Sequence, residues 1–347
     1  MKTNLIIGRG NLPDICNFIK SKKFDGILLL TDKGVSSLYG KTVVKLLGDI
    51  AKVRISTADN GEKAKDLINL PQLLKPFFEG KLTRNFCLVS LGGGAISDIG
   101  GFVASILLRG IDHIVIPTTL LAMVDASIGG KNGLNFKHHG VTLKNMIGTF
   151  RQPTLVISDT DFLKTLPDRE IRNGFAEIIK YKLLFGRPDL KDISVSNFRK
   201  LPEKRAIALI KECQQLKMRL VVNDPFDTKG LRETLNLGHT VGHAVESIFA
   251  GKFSHGEAVA VGLRAAAFIS WQLQLLPKSA YQEIVNIIQK SGLPVSIPCI
   301  PPEILAEILD KDKKGGLMVL LKGIGQAVSR QKVDRQLILS AIKEIQP

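Results

Sequence analysis

His239 and His243 stand four residues apart in Leu-Asn-Leu-Gly-His-Thr-Val-Gly-His-Ala-Val-Glu (residues 235–246), and His255 follows in Ser-His-Gly-Glu. Three of the chain's six histidines therefore fall within seventeen residues. On a helix, positions four apart share a face, and neutral imidazole is a ligand that suits zinc. Gly238 and Gly242 leave the surface beside the pair bare, so a ligand or another backbone can come close. Gly256 after His255 implies a turn there rather than a packed helix face. Upstream, Glu177 in Asn-Gly-Phe-Ala-Glu-Ile-Ile-Lys offers a carboxylate. Two histidines and one glutamate leave a coordination position open, which marks a catalytic rather than a structural zinc. From spacing alone, His239 and His243 are the natural pair of ligands, and a packed polar helix face is the competing reading.

A second set of residues suits an anion. An apolar run, Asn85–Leu91, leads into Gly92-Gly93-Gly94-Ala-Ile-Ser97-Asp98 and then an apolar helix pattern through Leu108. Strand, glycines and helix N-terminus together make a phosphate cradle, because free N–H groups point outward and glycine permits close approach. It is not the Gly-x-Gly-x-x-Gly fingerprint in its usual first-strand position, and glycine turns after strands also serve packing. Asp32, at the end of the apolar run Phe24–Asp32, could accept hydrogen bonds from a ribose, or simply cap a helix. Glu62 and Lys65, in the polar turn 58–65, could face a ligand or sit in a solvated first helical turn. Thr118 and Thr119 after Ile114-Val-Ile-Pro offer hydroxyls to a ribose or phosphate. Asp125, Lys131 and Lys144 lie in glycine-rich stretches that suit anionic ligands.

These residues need elements to hold them. The chain has 347 residues, 44% of them hydrophobic, enough for two domains. Up to residue 158, short apolar runs alternate with helix patterns, as in a parallel α/β sheet. After Asp159 apolar residues recur at helical spacing, as in Phe175, Ile178 and Ile179, or Ala258, Val261 and Leu263. The expected organisation is an α/β domain over 1–158 and an all-α domain over 159–347. No apolar run is long enough to span a bilayer and the N-terminus lacks a signal-peptide core, which implies a cytoplasmic protein. Cys16, Cys87, Cys213 and Cys299 are scattered, as reduced and mostly buried thiols are. The net charge of +16 comes without long basic runs or aromatic arrays, which argues against nucleic acid and for a small acidic substrate on a generally basic surface.

Read together, the motifs form an ordered set. They are Asp59-Asn-Gly-Glu-x-x-Lys65, Gly92-Gly-Gly-Ala-Ile-Ser-Asp98, Arg109-Gly, Pro117-Thr-Thr-Leu-Leu, Val124-Asp-Ala-Ser-Ile-Gly-Gly-Lys131 and Lys144-Asn-Met-Ile-Gly-Thr-Phe150. Leu163-Lys-Thr-Leu-Pro, Gly174-Phe-Ala-Glu-Ile-Ile-Lys-Tyr181, the 235–246 stretch, His255-Gly-Glu and Asp312-Lys-Lys complete it. In this order, over most of the chain, it resembles the 3-dehydroquinate synthases of the sugar-phosphate cyclase superfamily.

The resemblance implies an NAD-binding α/β domain, a helical metal- and substrate-binding domain, and a site in the cleft between them. It implies zinc, with cobalt as the alternative, held by Glu177, His239 and His255, and it makes His243 a substrate or water contact. The family and the spacing thus differ over His243, and the family's assignment is the one adopted. For NAD it implies Asp32, Glu62, Lys65, Gly92, Gly93, Gly94, Ser97, Asp98, Thr118, Thr119, Asp125, Lys131, Lys144, Phe162 and Thr165. Arg109, Lys131, Lys144, Asn145 and Lys313 or Lys314 are its candidates for phosphate. Lys180, Lys217, Arg232 and Asn236 are those for the substrate carboxylate and hydroxyls. The implied reaction is a phosphorus–oxygen lysis on the shikimate route to aromatic amino acids: a homodimeric enzyme turns 3-deoxy-arabino-heptulosonate 7-phosphate, a phosphorylated keto acid, into 3-dehydroquinate. Two departures concern substrate identity. The 136–143 loop is longer than usual, and Asn132 stands where threonine is common. A sister cyclase with another carbocyclic product and a metal-dependent NAD alcohol dehydrogenase are the alternatives.

Overall fold

The apolar runs Gly26–Asp32 and Phe86–Gly92 become strands, and both are buried along almost their whole length. Continuous burial belongs to the interior of a parallel sheet covered on both faces. The structure, a computed structural model, describes residues 3–139, 141–249, 251–310 and 317–347. It divides into two units, Met1–Leu166 and Pro167–Pro347. The first runs past residue 158 because the turn Thr160–Lys164 stays bonded to it. Thr160 donates to the Gly8 carbonyl, Asp161 pairs with Arg9, and Tyr39 packs edge-on against Phe162.

In the first unit the strands are β1 (Asn4–Gly8), β2 (Gly26–Asp32), β3 (Val53–Ala58), β4 (Phe86–Gly92), β5 (Asp112–Pro117), β6 (Lys131–His138), β7 (Val141–Phe150) and β8 (Leu155–Asp159). Among the described residues six of them form one parallel sheet in the order β1-β8-β5-β4-β2-β3. The chain runs outward from β2 to the edge strand β3, then returns over β2 to β4 and continues the other way. The direction therefore reverses between β2 and β4, and ligands of open parallel sheets bind at the carboxyl ends of strands at such a point. Asp32 ends β2 and Gly92 ends β4, on either side of it.

The helix Gly94–Ile106 crosses back over the sheet. Its Gly100 lies where a Cβ would strike Ser90 Oγ, and Gly101 where one would strike the Asn132 amide. The missing side chains let helix, sheet and the β6–β7 hairpin close on one another. That hairpin forms its own two-stranded antiparallel sheet.

The second unit is built mainly of helices: Asp168–Phe185, Glu203–Asn223, His239–Ile248, His255–Gln272, Lys278–Lys290, Pro302–Asp310 and Arg335–Glu344. It also contains a hairpin, β9 (Leu317–Gly323) and β10 (Gln326–Lys332), where helical texture alone was expected. β9 is buried because it packs on the His255–Gln272 helix, and the Leu321 amide donates to Ser270 Oγ. That helix is buried over most of its length. Glycines let its neighbours approach: a Cβ at Gly262 would lie 1.9 Å from the Gly238 carbonyl oxygen. No helix among the described residues is long and apolar enough to cross a membrane. Cys87 and Cys213 are buried, Cys16 is half-buried and Cys299 is exposed.

Candidate functional site

The helix Asp168–Phe185 carries Asn173, Glu177 and Lys180, spaced four and three apart and hence on one face. All three are buried, Glu177 completely. Asn173 Oδ1 accepts the Gly256 amide at 2.9 Å, and a Cβ at Gly256 would lie 2.4 Å from Asn173 Cα. Gly256 is therefore not the turn residue that the sequence implies. It sits in the first turn of a helix capped by Ser254 and Glu257, and its bareness lets the two helices touch. The contact sets His255, the first residue of its helix, beside Glu177 one turn along from Asn173. His239 opens its own helix after Gly238, which adopts the left-handed backbone that glycine tolerates. Two helix N-termini thus converge on a buried carboxylate, and their positive ends favour the anion.

Glu177 Oε1 lies 3.5 Å from His239 Nε2 and 3.4 Å from His255 Nε2. Neither Glu177 oxygen makes a hydrogen bond of good geometry, although Lys180 Nζ touches Oε2. Burial opposes charge on Glu177, yet the Lys180 ammonium and His239 hold its carboxyl well below the usual range. Burial likewise opposes charge on His255, but the carboxylates of Glu177 and Glu246 push it up to about 9. A buried anion without proper hydrogen bonds, facing two imidazole nitrogens, is what a cation would complete. Ligands about 2.0–2.2 Å from a tetrahedral ion stand roughly 3.4 Å apart, which is the spacing found. The donor atoms of Glu177, His239 and His255 all lie within 4.8 Å of one another.

His243, one turn beyond His239, is exposed, and its ring centre is 5.4 Å from that of His239 and 6.2 Å from that of His255. It belongs to a second possible donor group, His243, Glu246 and His255. The i, i+4 pair thus shares a helix face without sharing the buried carboxylate. Lys180, Lys217 and Arg232 are buried and Asn236 is half-buried. Arg232 Nη1 donates to the Pro225 carbonyl at 3.1 Å. The turn before it is organised by Asp224, whose carboxylate accepts the amides of Thr228, Lys229 and Leu231.

In the first unit, no side chain caps the N-terminus of the Gly94–Ile106 helix. Its first amides have no partner within the helix, and they emerge at the carboxyl end of β4. A Cβ at Gly93 would meet Thr119 Cγ2 at 3.1 Å, and one at Gly94 would meet Ala126 Cβ at 3.1 Å, so a side chain in the cradle would crowd its wall. Thr118, Thr119 and Asp125 lie in or next to this wall, on the segment that follows β5. Ser97 Oγ donates back to the Gly93 carbonyl. Asp32 Oδ1 caps the Val35 amide at 2.9 Å, and burial raises its carboxyl above the usual range. Thr165 hydrogen-bonds Tyr39, beside Phe162.

Lys65 does not lie in a solvated turn. It is 3% exposed, and its ammonium is 2.7 Å from Asp98 Oδ2, 2.5 Å from Asn145 Oδ1 and 3.5 Å from Glu62 Oε1. Burial opposes this charge, but Asp98 and Glu62 outweigh it and hold the amine above its ordinary value. Asn135 joins the network, donating to Glu62 and accepting the Asn145 amide. The ladder pairs Leu134 with Ile147 and Phe136 with Leu143, so β7 bulges at Lys144, Asn145 and Met146. Asn145 adopts φ +54 there. Bulges beside active sites re-aim side chains, and this one carries two of the phosphate candidates. Lys131 pairs opposite Phe150, about 13 Å of strand away.

Arg109 lies just beyond the far end of the Gly94–Ile106 helix, about 20 Å of helix rise from the cradle. Asn132 holds the hairpin base, its Nδ2 donating to the Gly130 and Arg151 carbonyls. Asp312, Lys313 and Lys314 lie outside the described residues. Asn135, Asn173, Asp224 and Glu246 are the site-building residues that motif reasoning passed over. Asn173 was findable, four before Glu177 on the same helix.

Comparison with known proteins adds the following. A family profile described as 3-dehydroquinate synthase N-terminal matches residues 55–173, and one described as 3-dehydroquinate synthase C-terminal matches residues 174–315. The chain is 40% identical over 314 residues to a 3-dehydroquinate synthase of Alkaliphilus metalliredigens, covering 89% of this chain and 86% of that one. Among solved structures it resembles 2-deoxy-scyllo-inosose synthase complexed with carbaglucose-6-phosphate, NAD+ and Co2+, with TM-score 0.89, 28% identity, and coverage of 98% and 96%. It also resembles ValA, the 2-epi-5-epi-valiolone synthase of Streptomyces hygroscopicus, solved with NAD+ and Zn2+, with TM-score 0.83, 26% identity, and coverage of 99% and 97%.

Proposed function

The chain belongs to the 3-dehydroquinate synthase family, and from that premise we propose that it converts 3-deoxy-arabino-heptulosonate 7-phosphate into 3-dehydroquinate and phosphate, with catalytic NAD and a divalent metal. The observation that carries this reading is the buried Glu177 carboxylate, facing the Nε2 atoms of His239 and His255 at 3.4–3.5 Å.

Glu177, His239 and His255 would hold the metal, zinc or cobalt, and the glycine turn Gly92–Gly94 with Thr118, Thr119 and Asp32 would hold NAD. When bound, the metal would supply Lewis acidity toward a ring hydroxyl, and NAD a hydride acceptor that gives the hydride back in the same turnover. Lys180 balances the charge of Glu177. His243, exposed beside the triad, contacts substrate or its water. Arg232 offers the planar fork that matches a carboxylate, with Lys217 and Asn236 for hydroxyls. Lys131 and Lys144 neutralise the departing phosphate and the Asn145 side-chain amide donates to it, each charged hydrogen bond contributing about 1.5–3 kcal/mol. A cytoplasmic homodimer belongs to the same reading, and light scattering checks the dimer.

The test mixes protein, zinc, substrate and substoichiometric NAD. One phosphate per substrate, many turnovers per NAD, no lasting NADH absorbance and a dehydroquinate product are expected, with Lys131→Ala slowing phosphate release more than it weakens NAD binding. NADH rising in step with substrate loss refutes the cyclase in favour of an alcohol dehydrogenase. Phosphate release with a different carbocycle favours a sister cyclase, a reading motivated by the long β6–β7 hairpin that carries Lys144 and Asn145.

A further inference from the structure

His239 and His255 face Glu177 through the same atom, Nε2, but their rear nitrogens are held differently. His239 Nδ1 is 3.1 Å from the Leu237 carbonyl oxygen. A carbonyl only accepts, so in the neutral ring that nitrogen carries the proton and Nε2 is left to a ligand. His255 Nδ1 instead faces Glu246 Oε2, at 3.6 Å. Glu246 follows His239 by seven residues on the His239–Ile248 helix, on the same face as His239 and His243. One helix thus presents a ligand candidate in its first turn and, two turns on, a carboxylate behind the other ligand candidate. The Glu246 side chain is largely enclosed, at 23% exposure, so water screens it only in part.

We propose that Glu246 is a positioning residue of the metal centre: with a cation at Nε2 the His255 proton can sit only on Nδ1, where the Glu246 carboxylate accepts it and keeps the ring aimed at Glu177. Glu246 Oε2 stands 3.6 Å behind Nδ1, and a movement of about 0.7 Å would bring the pair to hydrogen-bond length. Partners of this kind fix the tautomer and orientation of ligating histidines, and losing one costs roughly 10–100-fold in metal affinity. The role rests on the metal centre proposed above.

The experiment measures zinc affinity and stoichiometry by competition with a chromophoric chelator, for the wild type, Glu246→Ala and Glu246→Gln, with apo-protein melting as the folding control. The wild type should bind one zinc, Glu246→Ala should bind it about 10–100-fold more weakly, and Glu246→Gln, which restores an acceptor, should fall between them. Apo melting should be alike in all three. If Glu246→Ala fails to fold, Glu246→Gln carries the test through its own intermediate loss. Wild-type affinity in Glu246→Ala overturns the positioning role and leaves the metal centre standing. Two zinc ions in the wild type and one in Glu246→Ala also overturn it, because His243, Glu246 and His255 would then be a second site. No zinc bound by the wild type overturns both.

Discussion

Lys65 Nζ lies 2.5 Å from Asn145 Oδ1 and 2.7 Å from Asp98 Oδ2, so one buried ammonium ties the bulge of β7 to the early turns of the glycine-loop helix. The residue that the resemblance assigns to the cofactor is itself buried and braces the hairpin to this helix. Lys65→Met removes both contacts and leaves Asp98 without its cation. The expected stability loss is about 1.5–3 kcal/mol, read by denaturant unfolding. Phosphate release should fall at least about tenfold as Asn145 loses its anchor, equivalent to about 1.4 kcal/mol of barrier. Wild-type turnover in a folded Lys65→Met protein would show that the brace is irrelevant to the chemistry.

Gly93→Val should weaken NAD binding. The first added carbon already meets Thr119 Cγ2 at 3.1 Å, and the branched methyls have nowhere to go but the approach surface of the helix amides. Calorimetry should report a loss of about tenfold or more, about 1.4 kcal/mol. An unchanged affinity would place the cofactor elsewhere.

His239→Ala and Glu177→Gln should each lose bound zinc, measured by metal analysis after dialysis. Glu177→Gln also breaks the buried ion pair with Lys180, whose side chain is 1% exposed. Breaking a buried pair costs about 3–5 kcal/mol, so this variant should melt well below His239→Ala. Full zinc content in His239→Ala would sink the ligand assignment.

His113 sets an acid limit on stability. Its Nε2 is 2.9 Å from Ser90 Oγ under the bare surface of Gly100, and burial, aided by Arg151, depresses its pKa to about 3. The unfolded chain takes up the proton near pH 6.5. Between pH 6.5 and 3 the unfolded state therefore binds more protons than the native state, and stability falls as pH falls. The contribution is complete above pH 6.5 and about 2 kcal/mol smaller at pH 5 than at pH 8. His113→Gln should flatten that part of the profile in urea melts across pH. An identical slope in the variant assigns the acid sensitivity to other groups.

Much of the architecture was legible in the chain itself. Apolar runs such as Phe24–Asp32 and Asn85–Leu91 announce buried parallel strands, because only a sheet covered on both faces keeps such runs dry. The change to helical spacing after Asp159 falls a few residues before the point, between Leu166 and Pro167, where the chain divides, and the ordered motifs from Asp59 to Lys314 carry the family. Tertiary structure decided the rest, because sequence spacing reports a shared face and not a shared partner. His239 and His243 lie on one face, yet the Asn173–Gly256 contact between two other helices is what brings His255 to Glu177. Gly238 and Gly242, where the sequence allows a ligand or another backbone to come close, are places where backbones meet, and so is Gly256, read from the sequence as a turn. Lys65 looked solvated because its partners, Asp98 and Asn145, are 33 and 80 residues away. The hairpin of β9 and β10 escaped the helical pattern because its burial comes from the His255–Gln272 helix, distant in sequence and adjacent only in space.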